Sequence, residues 1–286
     1  MVDRTPYADG SDHDDYDSST IAVPSLYLRD WPDIYIHTDH DTLDQIDPTK
    51  LRRVALLGAA AGYTYATLDV AKADSLLPFF AARAQQRLAK GFERAQSLAQ
   101  DNRLSPNDAL YEARNLITQM VWREQAELRS FSTYTQSDPE KVVVFSKDLN
   151  AQAAELNDWL DQTAEIRGIH DLHPLPSWHG EPDASRIPTR MADFGPLAFQ
   201  NDDVLLDRLG RERVEKIKLL HGESNHLFRV QDLGTLYAYE IVNFVDGKRS
   251  VGEIRDAVAA EYGPIPLDVV ADYLKACEEA KIVALR

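Results

Sequence analysis

Three times along the chain an Asp or Ser stands directly before a proline: Asp47-Pro48, Ser105-Pro106 and Asp138-Pro139. An Asp or Ser side chain at the N-cap accepts from the first free backbone N–H groups. Proline at the next position has no N–H to leave unsatisfied, and its φ already suits a helix. Each pair therefore marks a helix start, and behind each runs an apolar pattern of helical period. The spacing predicts helices over about 48–68, 75–100, 105–131 and 138–163. The first has one apolar face made of Leu51, Val54, Ala55, Leu57 and Gly58/Ala61. Long helices with short links pack as an antiparallel hairpin or bundle. In a chain of 286 residues, 44% of them apolar, this predicts an α+β fold that is mainly α.

Residues 166–200 break the pattern with His170, His173, Pro174, Pro176, His179, Pro182 and Pro188, which reads as a connection wrapped over another surface. A metal site on the three histidines is the less favoured reading, because a proline-rich loop presents imidazoles poorly. Regularity returns at the C-terminus. A helix over 236–245 ends at the Asp246-Gly247 turn. Ser250 and Glu253 form a capping box for a second helix that ends near Gly263, a third helix spans 268–280, and a strand closes at 282–285. Leu236, Ile241, Val245, Ile254, Val258, Val270, Leu274 and Ile282 are its expected core. Three helices and a strand in so short a span look like a winged-helix module, whose geometry invites a DNA reading. Residues 234–286 hold six Lys/Arg against nine Asp/Glu, however, so a nucleic-acid partner is not expected and a protein contact is. From Tyr239 to Leu285 the module resembles the small PqqD-type winged-helix domains, which implies peptide or protein binding.

The whole chain carries −16, and residues 1–47 alone contribute −10, from twelve Asp, no Glu, Arg4 and Arg29. With His13, His37 and His40 nearby, this segment reads either as a solvated acidic stretch or as part of a cation site. Ile21–Leu28 and Ile34–Ile36 have the composition of short strands. The longest uncharged run, Val54–Leu68, is too short for a membrane span, which needs about 18 residues. The lone Cys277 excludes an intramolecular disulfide. The opening MVDRTPYADGSDHDD has no apolar segment of the signal-peptide kind.

Two motifs in this region carry a resemblance. Gly10-Ser-Asp-His13 is followed by Tyr16 and Ile21-Ala-Val-Pro24, and Asp33-Ile-Tyr-Ile-His-Thr38 is followed by Asp41-Thr42-Leu43 and Asp47. In order and spacing, residues 7–70 resemble the C-terminal end of the catalytic domain of M28-family zinc aminopeptidases. The resemblance implies a mostly parallel α/β sheet, a two-zinc centre and a peptide substrate. It implies that His37 is a metal ligand, that Asp41 orients that ligand or its loop, and that Asp12 and His13 line the pocket. His40 falls at an unmatched position. The family's other ligands precede the Ser-Asp-His segment, and no Glu occurs before Glu93. The expectation is therefore the C-terminal part of a longer metallopeptidase, inactive by itself. The alternative is a non-catalytic protein-interaction module. The regions expected are a peptidase-type remnant over 1–72, a helical hairpin or bundle over 73–165, a connection over 166–232 and the winged-helix-like module over 233–286.

Overall fold

A computed structural model describes residues 10–29, 32–135, 139–191, 201–221 and 234–286. Within them lie α1 (His13–Asp17), α2 (Pro48–Ala66), α3 (Val70–Ala99), α4 (Pro106–Thr135), α5 (Pro139–Ile166), α6 (Asn201–Leu209), α7 (Arg211–Leu219), α8 (Gly234–Asn243), α9 (Val251–Tyr262) and α10 (Leu267–Glu279). Two strands, β1 (Pro188–Arg190) and β2 (Val283–Leu285), complete the set. The protein is mainly helical.

The local signals act where they stand. Asp47 accepts from the N–H groups of Thr49 and Lys50 at 2.7 and 3.3 Å, with Pro48 at the first helical position. The Ser105 hydroxyl accepts from the N–H of Asp108 at 3.1 Å. Asp138, the third expected cap, lies outside the described residues. The second helix starts earlier than its apolar pattern suggested, at Val70, because Asp69 caps it by accepting from Lys72 N–H at 2.8 Å. Pro78 lies inside it and removes a single ladder bond.

α3, α4 and α5 form an antiparallel bundle. The inner stripe of α3 is Ala73, Leu77, Ala81, Ala84, Leu88, Gly91, Ala95 and Ala99, all buried and all three or four residues apart. These small residues let α3 approach closely the Leu116, Ile117 and Leu128 side of α4. At Gly91 a Cβ would overlap the end of the Met120 side chain, so a larger residue there requires Met120 to move.

The C-terminal body packs α8, α9 and α10 around Ile241, Val245, Ile254, Val258, Val270, Leu274 and Ile282, as the periodicity predicts. Leu236 is only half-buried. The capping box is formed: Ser250 Oγ accepts from Glu253 N–H at 3.3 Å, and Glu253 accepts from Ser250 N–H at 2.8 Å. Asp246 accepts from the N–H groups of Lys248 and Arg249, both at 2.9 Å, around Gly247 at φ 75°. The closing strand β2 pairs antiparallel with β1, Pro188 opposite Leu285 and Arg190 opposite Val283. Residues from the proline-rich connection thus complete the C-terminal body. Leu205, Val214 and Ile217 of α6 and α7 enter the same core.

The expected strands near the N-terminus do not form. Residues 22–29 lack secondary structure and residues 34–36 lie in turns. A strand requires a neighbouring ladder, and among the described residues the sheet consists of β1 and β2 only. The expected remnant of an α/β sheet is therefore absent from the described part of 1–72. Instead α1 docks on the C-terminal body: Tyr239 Oη donates to the Asp14 carbonyl at 2.5 Å, and Ser19 N–H donates to Asn243 Oδ1 at 3.0 Å. Arg190 donates to the hydroxyls of Ser19 and Thr20 and to the Val242 carbonyl.

Candidate functional site

The bundle and the C-terminal body meet where α4 crosses α9. Val251, Ile254 and Val258 set the inward phase of α9, and Arg255 lies on the same arc. Its side chain is 5% exposed, which is costly for a guanidinium unless its donors are matched. They are: Arg255 bonds to Glu112 of α4, to Asp256 Oδ1 at 3.1 Å and to the Ile265 carbonyl at 2.6 Å. Tyr111 Oη donates to Asp256 Oδ2 at 2.6 Å, and Asn115 Nδ2 donates to the Asp256 carbonyl at 2.8 Å. Trp178 stands with its ring centroid 6.0 Å from the guanidinium.

Burial pushes the carboxyls of Glu112 and Asp256 above their ordinary values, although Arg255 pulls both down. Burial would lower Arg255, but Glu112 and Asp256 more than offset it and hold it protonated. Burial and the neighbouring Asp256 carboxylate push the Tyr111 hydroxyl up, so it stays a donor. The network is a fixed joint between the two bodies.

A cleft lies on either side of this joint, and the two have opposite character. One, of about 950 Å³, is edged by the carboxylates of Asp101, Asp108, Glu181, Asp183 and Asp268, with Arg103 and Arg255 also in its lining. The other, of about 530 Å³, is lined by Arg94, Arg123, Arg129 and Arg249, with Glu261 the one acidic side chain among the described lining residues. Its apolar lining includes Trp122, which is 53% exposed, and Phe244, whose ring lies under the Arg249 guanidinium at 5.4 Å. Arg94 donates to the carbonyls of Ala260 and Glu261 at 3.3 and 3.2 Å, which fixes it against the last turn of α9. Arg123 reaches the fully buried carboxylate of Glu124 at 2.8 Å, which Arg87 also holds at 2.5 Å. Arg249 donates to Asp246 Oδ2 at 2.9 Å, and each of these guanidinium groups carries five N–H donors in all.

The residues singled out by the motifs lie elsewhere. His37 is exposed in a turn at φ 62°. Asp41 and His40 are exposed, with His40 3.7 Å from Asp39. Asp12 is exposed beside α1, and His13 stacks on Tyr27 at 4.4 Å with Nε2 3.3 Å from Asp14. His170, His173 and His179 are all exposed. Among the described residues no three His, Cys, Asp or Glu side chains are grouped so as to hold a metal ion. Within the described residues His37, Asp12, His13 and Asp41 do not by themselves assemble a zinc centre. No described helix is long and apolar enough to cross a membrane. Sequence reasoning passed over the arginine cleft, because its four cations come from α3, α4 and the loop before α9. The joint beside it has a local signal, Arg255 on the apolar arc of α9. Compared with known proteins, the chain matches no family model, no curated protein and no solved structure.

Proposed function

We propose that this chain is a non-catalytic protein-interaction module whose arginine-lined cleft receives an acidic, aromatic-bearing peptide segment of a partner. The observation that carries the reading is the concentration of four arginines and two aromatic rings in one cleft of a chain whose net charge is −16. Guanidinium groups bind carboxylates through charge-assisted, bidentate bonds, and an exposed indole offers a stacking face. The Glu112–Arg255 joint holds the two bodies that form the walls, so little ordering cost remains on binding. We read the C-terminal body as winged-helix-like, three helices closed by a two-stranded ribbon, here used as one wall of a peptide groove. The test is fluorescence anisotropy with a short labelled peptide rich in Asp, Glu and Tyr. Micromolar binding that weakens with salt, and that is lost in Arg129→Glu/Arg249→Glu, is the expected result. Equal affinity for a peptide of the reverse charge would overturn the reading.

A peptidase ancestry for residues 7–70 is a second proposal, favoured by the order of the Ser-Asp-His and His-Thr-x2-Asp-Thr segments. It makes this chain the C-terminal part of a zinc aminopeptidase acting on peptides, with His37 as the last ligand. In-frame coding sequence upstream with the remaining ligands supports it; a stop codon there refutes it. Under either reading the chain alone shows no zinc-dependent hydrolysis of aminoacyl-nitroanilides.

A further inference from the structure

Between α2 and the bundle runs a groove of about 570 Å³, the size of a small-molecule site. Its walls on the α2 side are Leu57, Ala61, Thr64 and Leu68, at helical spacing. On the bundle side they are Leu76, Phe80, Leu128 and Phe131. Every residue of α2 is exposed, Leu57 by 48%, so the helix stands off the bundle instead of closing on it. Two apolar walls held apart are both left wet, and an apolar occupant removes that cost.

Charge gives the groove a direction. The lining residues nearest the link between α2 and α3 are Leu68 and Leu76, and those farthest along each helix are Leu57 and Arg87. Arg87 donates through Nε and Nη2 to Glu124 and Glu127, whereas its Nη1 makes no hydrogen bond among the described residues. Arg53 lies one turn before Leu57 on the same arc of α2, exposed and without an ion pair among the described residues. Lys50, a further turn back, faces the charge of the capping Asp47. Burial pushes the Glu124 carboxyl up, but Arg87 and Arg123 more than offset this and keep it ionised. Arg53, Arg87 and Arg123 thus stand against Glu124 and Glu127, and one positive charge is left over at this end of the groove.

We propose that the groove binds one long-chain fatty acid, its carboxylate at Arg53 and Arg87 Nη1 and its tail running between Leu57 and Phe80 towards Leu68 and Leu76. The path from Arg53 to Leu68 is about 22 Å at the helical rise, close to the extended length of palmitate. A monocarboxylate supplies the acceptor that the guanidinium donors lack and matches the single excess charge. A free fatty acid fits better than an anionic bilayer, which would have to accept the −16 of the whole chain.

Isothermal titration calorimetry of the full chain with palmitate, kept below its micelle concentration, tests this. The expected result is one site of micromolar affinity. Each methylene removed from a buried tail weakens binding by up to about fourfold, so laurate should bind at least about tenfold more weakly. Dodecyltrimethylammonium, with a tail of laurate's length and the opposite head charge, should bind more weakly than laurate although the chain is acidic. Ala61→Trp fills the groove from an exposed helix position. It and Arg53→Glu should each weaken palmitate at least about tenfold with helical circular dichroism retained. Absence of palmitate binding, equal affinity for the cationic amphiphile, or unchanged affinity in either variant would overturn the proposal. So would association only with phosphatidylglycerol vesicles, or palmitate binding that is lost in Arg129→Glu/Arg249→Glu, which would put the fatty acid in the arginine cleft.

Discussion

Replacing Arg255 by alanine tests whether the joint between α4 and α9 is as demanding as its burial implies. The substitution removes the bonds to Glu112, Asp256 and the Ile265 carbonyl together. Breaking a buried ion pair from one side costs about 3–5 kcal/mol, because the abandoned charge stays in a low-dielectric site. The lower end applies here, about 3 kcal/mol at pH 7, because Glu112 is already pushed up by burial and can take a proton, and Asp256 keeps Tyr111 as a donor. The pH dependence has a definite sign. A carboxyl whose folded pKa lies above its unfolded value stabilises fully at low pH and loses that contribution as pH rises through the folded value. Without Arg255 that rise is larger, so the variant loses more stability at pH 7 than at pH 5. Arg255→Met combined with Glu112→Leu removes both charges and should recover all but about 1–2 kcal/mol of the loss. Urea unfolding followed by circular dichroism and tryptophan fluorescence at both pH values measures Arg255→Ala and each corner of the cycle: wild type, Arg255→Met, Glu112→Leu and the pair. A single-variant cost below about 1 kcal/mol, or two substitutions that simply add, would refute the reasoning.

Ser250→Ala deletes one half of the α9 capping box and should cost about 1 kcal/mol in urea unfolding. Burial, then Glu261 and Asp17, push the Glu240 carboxyl up to about 8. Stability should therefore fall as pH rises from the ordinary carboxylate range through about 8, and thermal melts of Glu240→Gln across that window should lack this fall. Gly91→Leu drives a side chain into the Met120 sulfur between α3 and α4, with an expected loss of about 1–3 kcal/mol that Met120→Ala partly restores.

The helix starts were legible because capping is a contract between residues three apart: Asp47 with Lys50, Ser105 with Asp108, Ser250 with Glu253. No distant partner is needed for such a bond to form. The C-terminal core was legible for a related reason, since helical phase alone places Ile254, Val258, Val270 and Leu274 on inward faces. Extended segments carry no such internal contract. Ile21–Leu28 has the composition of a strand but meets no ladder, whereas Pro188–Arg190, with nothing strand-like about it, finds β2 beside it. The site belongs to the same class of decision. Glu112 and Arg255 are 143 residues apart, and the four arginines of the cleft come from three regions of the chain. The order of residues determined which helices form and which faces they bury. Only the crossing of α4 over α9 decided which charges share a low-dielectric joint and which are left lining a cleft, because the energy of a charge depends on neighbours that the packing supplies.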